Sequence, residues 1–465
     1  MKITMNHDRK KIGLFSAILF GIALIFPIAP VAIYGTVQPI SMGHMAICYL
    51  LAAIPMTFTA WSFGAMGAEF PRAGSSYTFV ANGINPYLGF MTGWGILMDY
   101  ILFPVMNFVI LAVYVQELFG LSSSISYWVI ITVAIILVCI MNLMGIKSIA
   151  TVNNIITILG FVVVIYFVIA ACGVLKDGAG TGFSSVAFYN PETFDLQLIL
   201  SGTAIACFSF LGFDGITNLV EDIKEPKKNL PKATILTCVI MMVVFLVMAY
   251  LGQCLFPDYN GFSNPDSAFL DVAVVAGGQT MANIFSIAMT VCAFAFSLDM
   301  LAGVSRLLYG MGRDGVLPKK FFGYRNKKGV PVYNVLLITA ICLVGCNMSL
   351  GDLFPLIDFG GIFAFILVNL AVIVYFFGRK KERSGSGVFK YLVVPGLGFL
   401  ACIVVWLSLS GMAKTIGFIW LGVGFVYMLI WTKGFKRKMK PIENIAEDNN
   451  DVNSSEISET KVPLQ

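Results

Sequence analysis

Apolar runs of roughly 18 to 25 residues recur about twelve times along this chain, each long enough to cross the ~30 Å of bilayer hydrocarbon as a helix. No other feature constrains the fold as strongly. Inside hydrocarbon every backbone amide and carbonyl must be bonded within the protein, so a chain built from such runs folds as packed transmembrane helices. The expected spans lie near 14–38, 45–68, 88–118, 126–144, 151–175, 197–220, 234–256, 268–311, 332–350, 353–377, 391–410 and 414–432. Composition agrees, with 58% hydrophobic and 12% charged residues in a chain of 465. The first run continues too far behind Arg9, Lys10 and Lys11 for a cleaved secretory signal and is read as a retained span.

Charge placement gives the expected orientation. With a cytoplasmic N-terminus and an even number of spans, every Lys and Arg except Lys176 and Lys414 falls in a segment on the inner side, as the positive-inside rule requires. Both termini are therefore expected in the cytoplasm of a multi-pass cell-membrane protein. The net charge of +5 then reports topology and attraction to anionic lipid headgroups of the bilayer, and implies no nucleic-acid partner. Three parts are expected: a cytoplasmic segment 1–11, a transmembrane domain 12–433, and a polar tail 434–465 with too little apolar surface to order itself.

The pattern excludes several classes of function. Ten cysteines lie mostly inside apolar runs with no CxxC pair, and the histidines are His7 and His44, so no metal set is expected. Buried small hydrophobes are the simpler reading of those thiols. No phosphate-binding loop, HExxH or GxSxG motif is present, which leaves no cofactor and no enzymatic machinery.

Two spans are visibly interrupted. The first contains Pro27 and Pro30, each lacking an amide donor. The sixth, CFSFLGFDGITNL from Cys207, carries Gly212 and Gly215 around Asp214. As first elements of two five-span halves, these breaks point to an inverted-repeat transporter with its site at the membrane midplane.

Intramembrane acids are the candidate site residues, because a charge in hydrocarbon is costly unless it serves a pathway or a partner. Burial favours the neutral form of a carboxyl group and a bound ammonium favours the ionised form, so Asp214 can trade a proton for a cation. Its alternative role is as partner to the helix break. Phe208 and Gly212 lie on the same broken span, where an aromatic face can cover a cation or its methylene chain; core packing is the alternative for Phe208. Asp99 beside Tyr100 suits an amine, and equally an interhelical bond. Asp299 and Asp358 are open to the same two readings. Glu69, in the hinge segment GAEFPRAGSSY with Arg72 and Gly74, and Glu221, at the inner end of the sixth span, are candidate gating or coupling groups beside Asp214; a solvated helix end is the simpler reading of Glu221.

With EFPRAGSSYTF from Glu69, INPYLGFMTGW from Ile84, MDYILFPVMN from Met98, the Cys207 stretch, VSRLLYGMGRDGVLPKKFFGY from Val304 and PLIDFGGIFAFILVNLAV from Pro355, the chain resembles the amino acid/polyamine/organocation permeases, and within them the bacterial putrescine importers. The resemblance implies an all-α fold of about twelve helices, of the leucine-transporter type with a 5+5 repeat and broken helices 1 and 6, working by proton-coupled alternating access. It places Asp214 at the substrate site and Phe208 at a position that covers substrate. Two departures concern the substrate. Relatives of the putrescine branch carry an Asp shortly before the glycine matching Gly35, where this chain has Ala32, and the family's Asn in the span-10 motif is Asp358 here.

Secondary active import of putrescine or a related polyamine, coupled to protons, is the function expected from these residues. An amino acid:proton symporter of the same superfamily is the alternative, and a membrane sensor without transport is a remote one. The tail after Pro441 is expected to be dispensable: truncation there should leave uptake and membrane targeting unchanged, and a truncated protein that reaches the membrane but fails to transport would give the tail a role.

Overall fold

The computed structural model describes residues 11–71, 76–145, 150–313 and 315–436. Arg72, Gly74 and the tail beyond residue 436 lie outside the described residues. Among the described residues the regular secondary structure is helical, apart from one isolated parallel bridge between Ile12 and Ile223. The long helices are α1 (Leu14–Ile25), α2 (Ala29–Ile40), α3 (Met45–Glu69), α5 (Pro86–Phe119), α6 (Ser124–Met144), α7 (Ala150–Lys176), α8 (Leu196–Ala206), α9 (Pro226–Leu255), α10 (Phe269–Arg313), α12 (Val332–Gly345), α13 (Leu350–Val372), α15 (Val394–Leu407) and α16 (Gly411–Trp431), with short helices α4 (Ser76–Gly83), α11 (Lys319–Phe322) and α14 (Gly385–Val388) between them.

Among the described residues ten helical spans are long and apolar enough to cross a membrane, and the bent pair α1–α2 makes an eleventh. The expected span at 332–350 corresponds to α12, which has 14 residues. It is short because the helix ends at Cys346 and the next one restarts at Leu350, where the Ser349 hydroxyl accepts from the Asp352 amide as an N-cap. The span expected at 234–256 begins earlier, at Pro226, so that Lys227, Lys228 and Lys232 sit on the first turns of α9. Proline at a helix start removes only an amide that has no partner there. Pro231, deeper in α9, is accommodated by Gly64 of α3, where an added Cβ would lie 2.4 Å from the proline Cα. The expected long eighth span is present as α10 but is broken at Gly277 and Gly278.

Both expected interruptions are real and they touch. At Phe26 the backbone turns to φ 69°, and α1 and α2 meet at a 51° bend. In the sixth span α8 gives way to a 3₁₀ turn over Cys207–Phe210, then Gly212 at φ 115°, then a second 3₁₀ segment over Phe213–Leu219. A Cβ at Gly212 would come within 2.8 Å of the Leu24 carbonyl oxygen, so glycine is required there by both conformation and space. The start of the first span and the end of the sixth are also tied at the backbone: Ile12 N–H donates to the Asp222 carbonyl at 2.8 Å and Lys224 N–H to the Ile12 carbonyl at 2.9 Å.

Around this pair the core is dense and apolar, with Tyr49, Phe63, Phe210, Phe213 and Phe245 among its fully buried rings. Buried polar side chains on the packing helices bond to one another. Asn369 on α13 donates to Thr59 at 2.8 Å and to the Phe365 carbonyl at 2.9 Å, and accepts from Ser62 at 2.6 Å, joining α13 to α3. The exposed apolar rings and aliphatics on α6, α7, α15 and α16 are the surfaces that face lipid.

Replacing Gly212 by alanine should lower stability by about 1–3 kcal/mol through the positive φ alone, before the Leu24 contact is counted. Thermal unfolding in detergent checks it, with Gly303→Ala as the control because nothing lies within 4 Å of a Cβ there. Equal melting of the two variants would remove the argument.

Candidate substrate site

Where the two breaks meet, the structure holds a cavity of about 310 Å³. That is at the small end of ligand sites. Three groups of elements build it. The α1–α2 break contributes Leu24, Phe26, Ala29 and Ala32; α5 contributes Ile96, Asp99, Tyr100, Phe103, Asn107 and Ile110; the broken sixth span contributes Phe208, Gly212, Asp214 and Thr217. Phe296 and Met300 of α10 and Gly361 of α13 close the remaining wall.

Of the expected site residues, Asp99, Tyr100, Phe208, Gly212 and Asp214 line this one cavity. The amides of Gly212, Asp214 and Gly215 face the Asp214 carboxylate, and Thr217 Oγ1 donates to the Asp214 carbonyl at 2.6 Å. The glycines thus do two things: they let the chain turn, and they turn its amides toward the acid. Asp99 acts electrostatically with Asp214 across the cavity, and its Oδ1 has no hydrogen-bond partner. Phe208 lies between Phe103, 5.6 Å away and stacked, and Phe354, at 4.8 Å. In this aromatic packet Phe103 and Phe208 are in the lining and Phe354 packs behind them. The lining also includes Asn218, which is exposed, so the cavity opens on the side of the bundle where α1 begins.

The other expected residues stand elsewhere. Asp358 is fully buried and outside the lining, behind Gly361. Asp299 is half-buried on α10 and also outside it. Glu69 ends α3, where it accepts from Tyr375 at 3.1 Å and from Lys380, tying α3 to the end of α13; Glu69 holds the Lys380 ammonium above the usual lysine range. Arg379 donates to the Asn82 carbonyl at 3.0 Å and to that of Ile84, so the same corner clasps the α4–α5 turn. Glu221 is exposed in the turn after the sixth span.

The stripe on α5 was readable in principle. Residues 96, 99, 100, 103, 107 and 110 follow helical spacing from Asp99, and extending that period would have found Phe103 and Asn107. Nothing local marks Met300 or Gly361, which reach the cavity only because distant spans pack there.

Among the described residues no group of three or more His, Cys, Asp or Glu converges as a metal site. The lining is apolar apart from a few hydroxyl and amide groups and two carboxyls, and it contains no nucleophile–base pair.

An apolar, acid-bearing cavity at paired helix breaks defines a membrane transporter, and comparison with known proteins names the family. Residues 12–433 match the amino acid permease family, and the chain belongs to it. It is 34% identical over 445 residues to the low-affinity putrescine importer PlaP of Escherichia coli, covering 94% of this chain and 97% of that protein. It is 27% identical over 450 residues to the branched-chain amino acid permease BcaP of Bacillus subtilis, covering 91% and 93%. The methylthioribose transporter of Bacillus subtilis is 24% identical over 91% of this chain and 94% of its own. The protein is a multi-pass transporter of the cell membrane and not an enzyme.

The open end of the cavity should be accessible to reagents and the aromatic end should not. In a protein with Cys292 changed to serine, Asn218→Cys should react with a water-soluble maleimide at least about tenfold faster than Phe208→Cys. Equal rates would mean that the aromatic packet does not close the cavity.

Proposed function

We propose that this transporter imports putrescine or a related polyamine, driven by protons. One observation carries the reading: the charged groups lining the cavity are Asp99 and Asp214, and no described base stands among them. A diamine presents two ammonium groups joined by methylenes, which pairs one acid on α5 and one on the sixth span across an apolar wall. Tyr100 and Phe208 offer ring faces to the same cation. The 34% identical relative named as a putrescine importer supports the same substrate. Ala32 lines the cavity, so the acid missing from that position is missing from the site itself, and Asp99 supplies the second charge.

Proton coupling follows from the same groups. A carboxyl in an apolar cavity is stable neutral when empty and stable ionised when it faces an ammonium, so cation and proton binding at these acids are linked, and a proton that travels with the substrate needs a further holding group. Uptake of a cation also runs with a membrane potential that is negative inside, at ~2.3 kcal/mol per charge per 100 mV. If the termini lie in the cytoplasm, as the charge distribution supports, the side on which Asn218 is exposed is the inner one and the aromatic packet lies toward the outer one.

Amino acid symport is the second reading, supported by the branched-chain amino acid permease relative. An α-amino acid needs a site for its carboxylate, and the natural one is the amide end of α2. There Pro27 and Pro30 supply no N–H, and the Ala29 and Val31 amides already donate to the Phe26 and Ile28 carbonyls at 3.2 and 3.0 Å. The amides at the other break face Asp214. An incoming carboxylate finds few donors and two acids, which favours the amine.

Labelled putrescine uptake into proteoliposomes tests both. Asp214→Asn should abolish it with insertion intact, and Asp99→Asn should weaken affinity by about 1.5–3 kcal/mol, roughly ten- to hundredfold. A protonophore should collapse accumulation. Leucine uptake that putrescine does not inhibit would overturn the amine reading, and sodium-dependent uptake that ignores the protonophore would overturn the coupling.

A further inference from the structure

We propose that Asp358 is the proton-binding residue of this transporter, distinct from the substrate cavity, and that it exchanges its proton with the cavity through Asp99. The proposal deepens the proton-coupled reading above and rests on it for its use in transport.

Asp358 is the unusual acid of the molecule. It is fully buried in the middle of α13, and neither of its carboxyl oxygens has a hydrogen-bond partner. A structural polar residue in the same helix looks different: Asn369, also fully buried, bonds to Thr59, Ser62 and the Phe365 carbonyl. An ionised, unpartnered carboxylate in such a place would cost several kcal/mol. A carboxyl group that keeps its proton carries no such cost. Substrate does not reach it, because Asp358 is outside the cavity lining while Gly361, one turn further along the same helix face, is part of it.

The neighbours are arranged for transfer to one partner. A Cβ at Gly360 would lie 2.5 Å from the Gly95 carbonyl oxygen and 3.5 Å from the Asp99 Cβ, and one at Gly361 would lie 3.6 Å from Asp99 Oδ2. The two glycines therefore let α5 bring Asp99 directly against α13. Asp99 acts electrostatically on Asp358, as Asp214 does on Asp99, so Asp99 is coupled both to the cavity acid and to the buried one. Asp99 is the middle member: it lines the cavity, yet its Oδ1 is buried without a partner.

The other ionisable groups on the surrounding elements are weak acids or distant. They are Tyr87, Tyr100, Tyr114 and Glu117 on α5, Cys207 on the 3₁₀ turn, Cys402 on α15, and on α3 Cys48, Glu69, which pairs with Lys380, and Tyr49, whose hydroxyl bonds Ser209. The base on these elements is Lys414 at the start of α16, exposed and bonded to the Leu407 carbonyl. No described cation therefore neutralises Asp358. A metal ion is the wrong occupant, since a hard cation takes about six to eight oxygens and no described cluster of three ligating residues exists.

The step balances simply. After the ammonium has left, the O–H of Asp358 breaks as the O–H of the unpaired Asp99 forms, and Asp99 passes that proton to cavity water; on the other side of the cycle Asp99 takes a proton from cavity water and hands it back to Asp358 before the next ammonium binds. The two carboxyls are not bonded here, so transfer requires them to close the gap or to share one water.

Infrared spectra of the purified, substrate-free protein test the site whatever the substrate is. Wild type at neutral pH should show protonated-carboxyl absorption with a component, beside that of Asp99 and Asp214, that Asp358→Asn removes and Asp358→Glu restores at a shifted frequency. Absorption with no component lost in Asp358→Asn overturns the proposal. In proteoliposomes, Asp358→Asn should retain labelled-putrescine exchange across equal pH within about threefold while gradient-driven accumulation falls at least about tenfold. Accumulation at the wild-type level, or putrescine affinity weakened about tenfold or more, also overturns it. Failure of wild type to carry putrescine sinks the substrate reading alone and leaves the infrared result to decide the proton site.

Discussion

The contact between the two helix breaks is the constraint on which the rest of this protein depends. Gly212 turns the sixth span through a conformation open to glycine, and its missing side chain leaves room for the Leu24 carbonyl at the end of α1. Two interrupted helices in hydrocarbon would each leave polar backbone exposed. Placed against each other they enclose a small cavity lined by that backbone, and the same turn points the amides of Gly212, Asp214 and Gly215 at a carboxylate. The break, the cavity and the acid are one structural solution.

Polar groups inside the bundle differ in how they are satisfied. The Asn369 cluster joining α13 to α3 is bonded. Asp99 Oδ1 and both oxygens of Asp358 lack partners, as do buried atoms of Gln38, Ser297 and Ser305. Leaving a buried polar atom unbonded costs on the order of 1–3 kcal/mol or more, a cost that a bound cation or a proton would offset at the two acids. The ends of the bundle show the same economy of contacts. Glu69, Lys380 and Arg379 bind one corner, and on the far side Glu117 accepts from Asn264 at 2.9 Å and Ser267 at 2.7 Å, holding the loop before α10 to the end of α5.

Much of the fold was legible before any coordinates. The spans are long apolar runs whose length is set by the bilayer, and Pro27 and Gly212 mark the interruptions because proline lacks a donor and glycine tolerates positive φ. Boundaries were less legible where polar residues continue a helix past the hydrocarbon, as in the first turns of α9, or where a helix stops early, as at Cys346. Asp99 and Asp214 were readable as candidates because each is out of place in its apolar run, and Tyr100 because it adjoins Asp99; these three and Phe208 line the cavity. The identity of the family was readable in motif, and the matched relatives bear it out.

By itself the sequence determined that this chain spans a membrane many times, where two of its helices break, and which acids lie in hydrocarbon. These are properties of single segments, set by hydropathy, backbone chemistry and spacing along one helix. Only the tertiary structure decided which acids share a cavity. Asp99 and Asp214 meet in one, while Asp358, equally intramembrane in sequence, sits behind Gly361 and out of it. Hydropathy carries no information on the rotation of one helix against another, and a shift of about 100° per residue around a helix separates a side chain that faces substrate from one sealed in the wall.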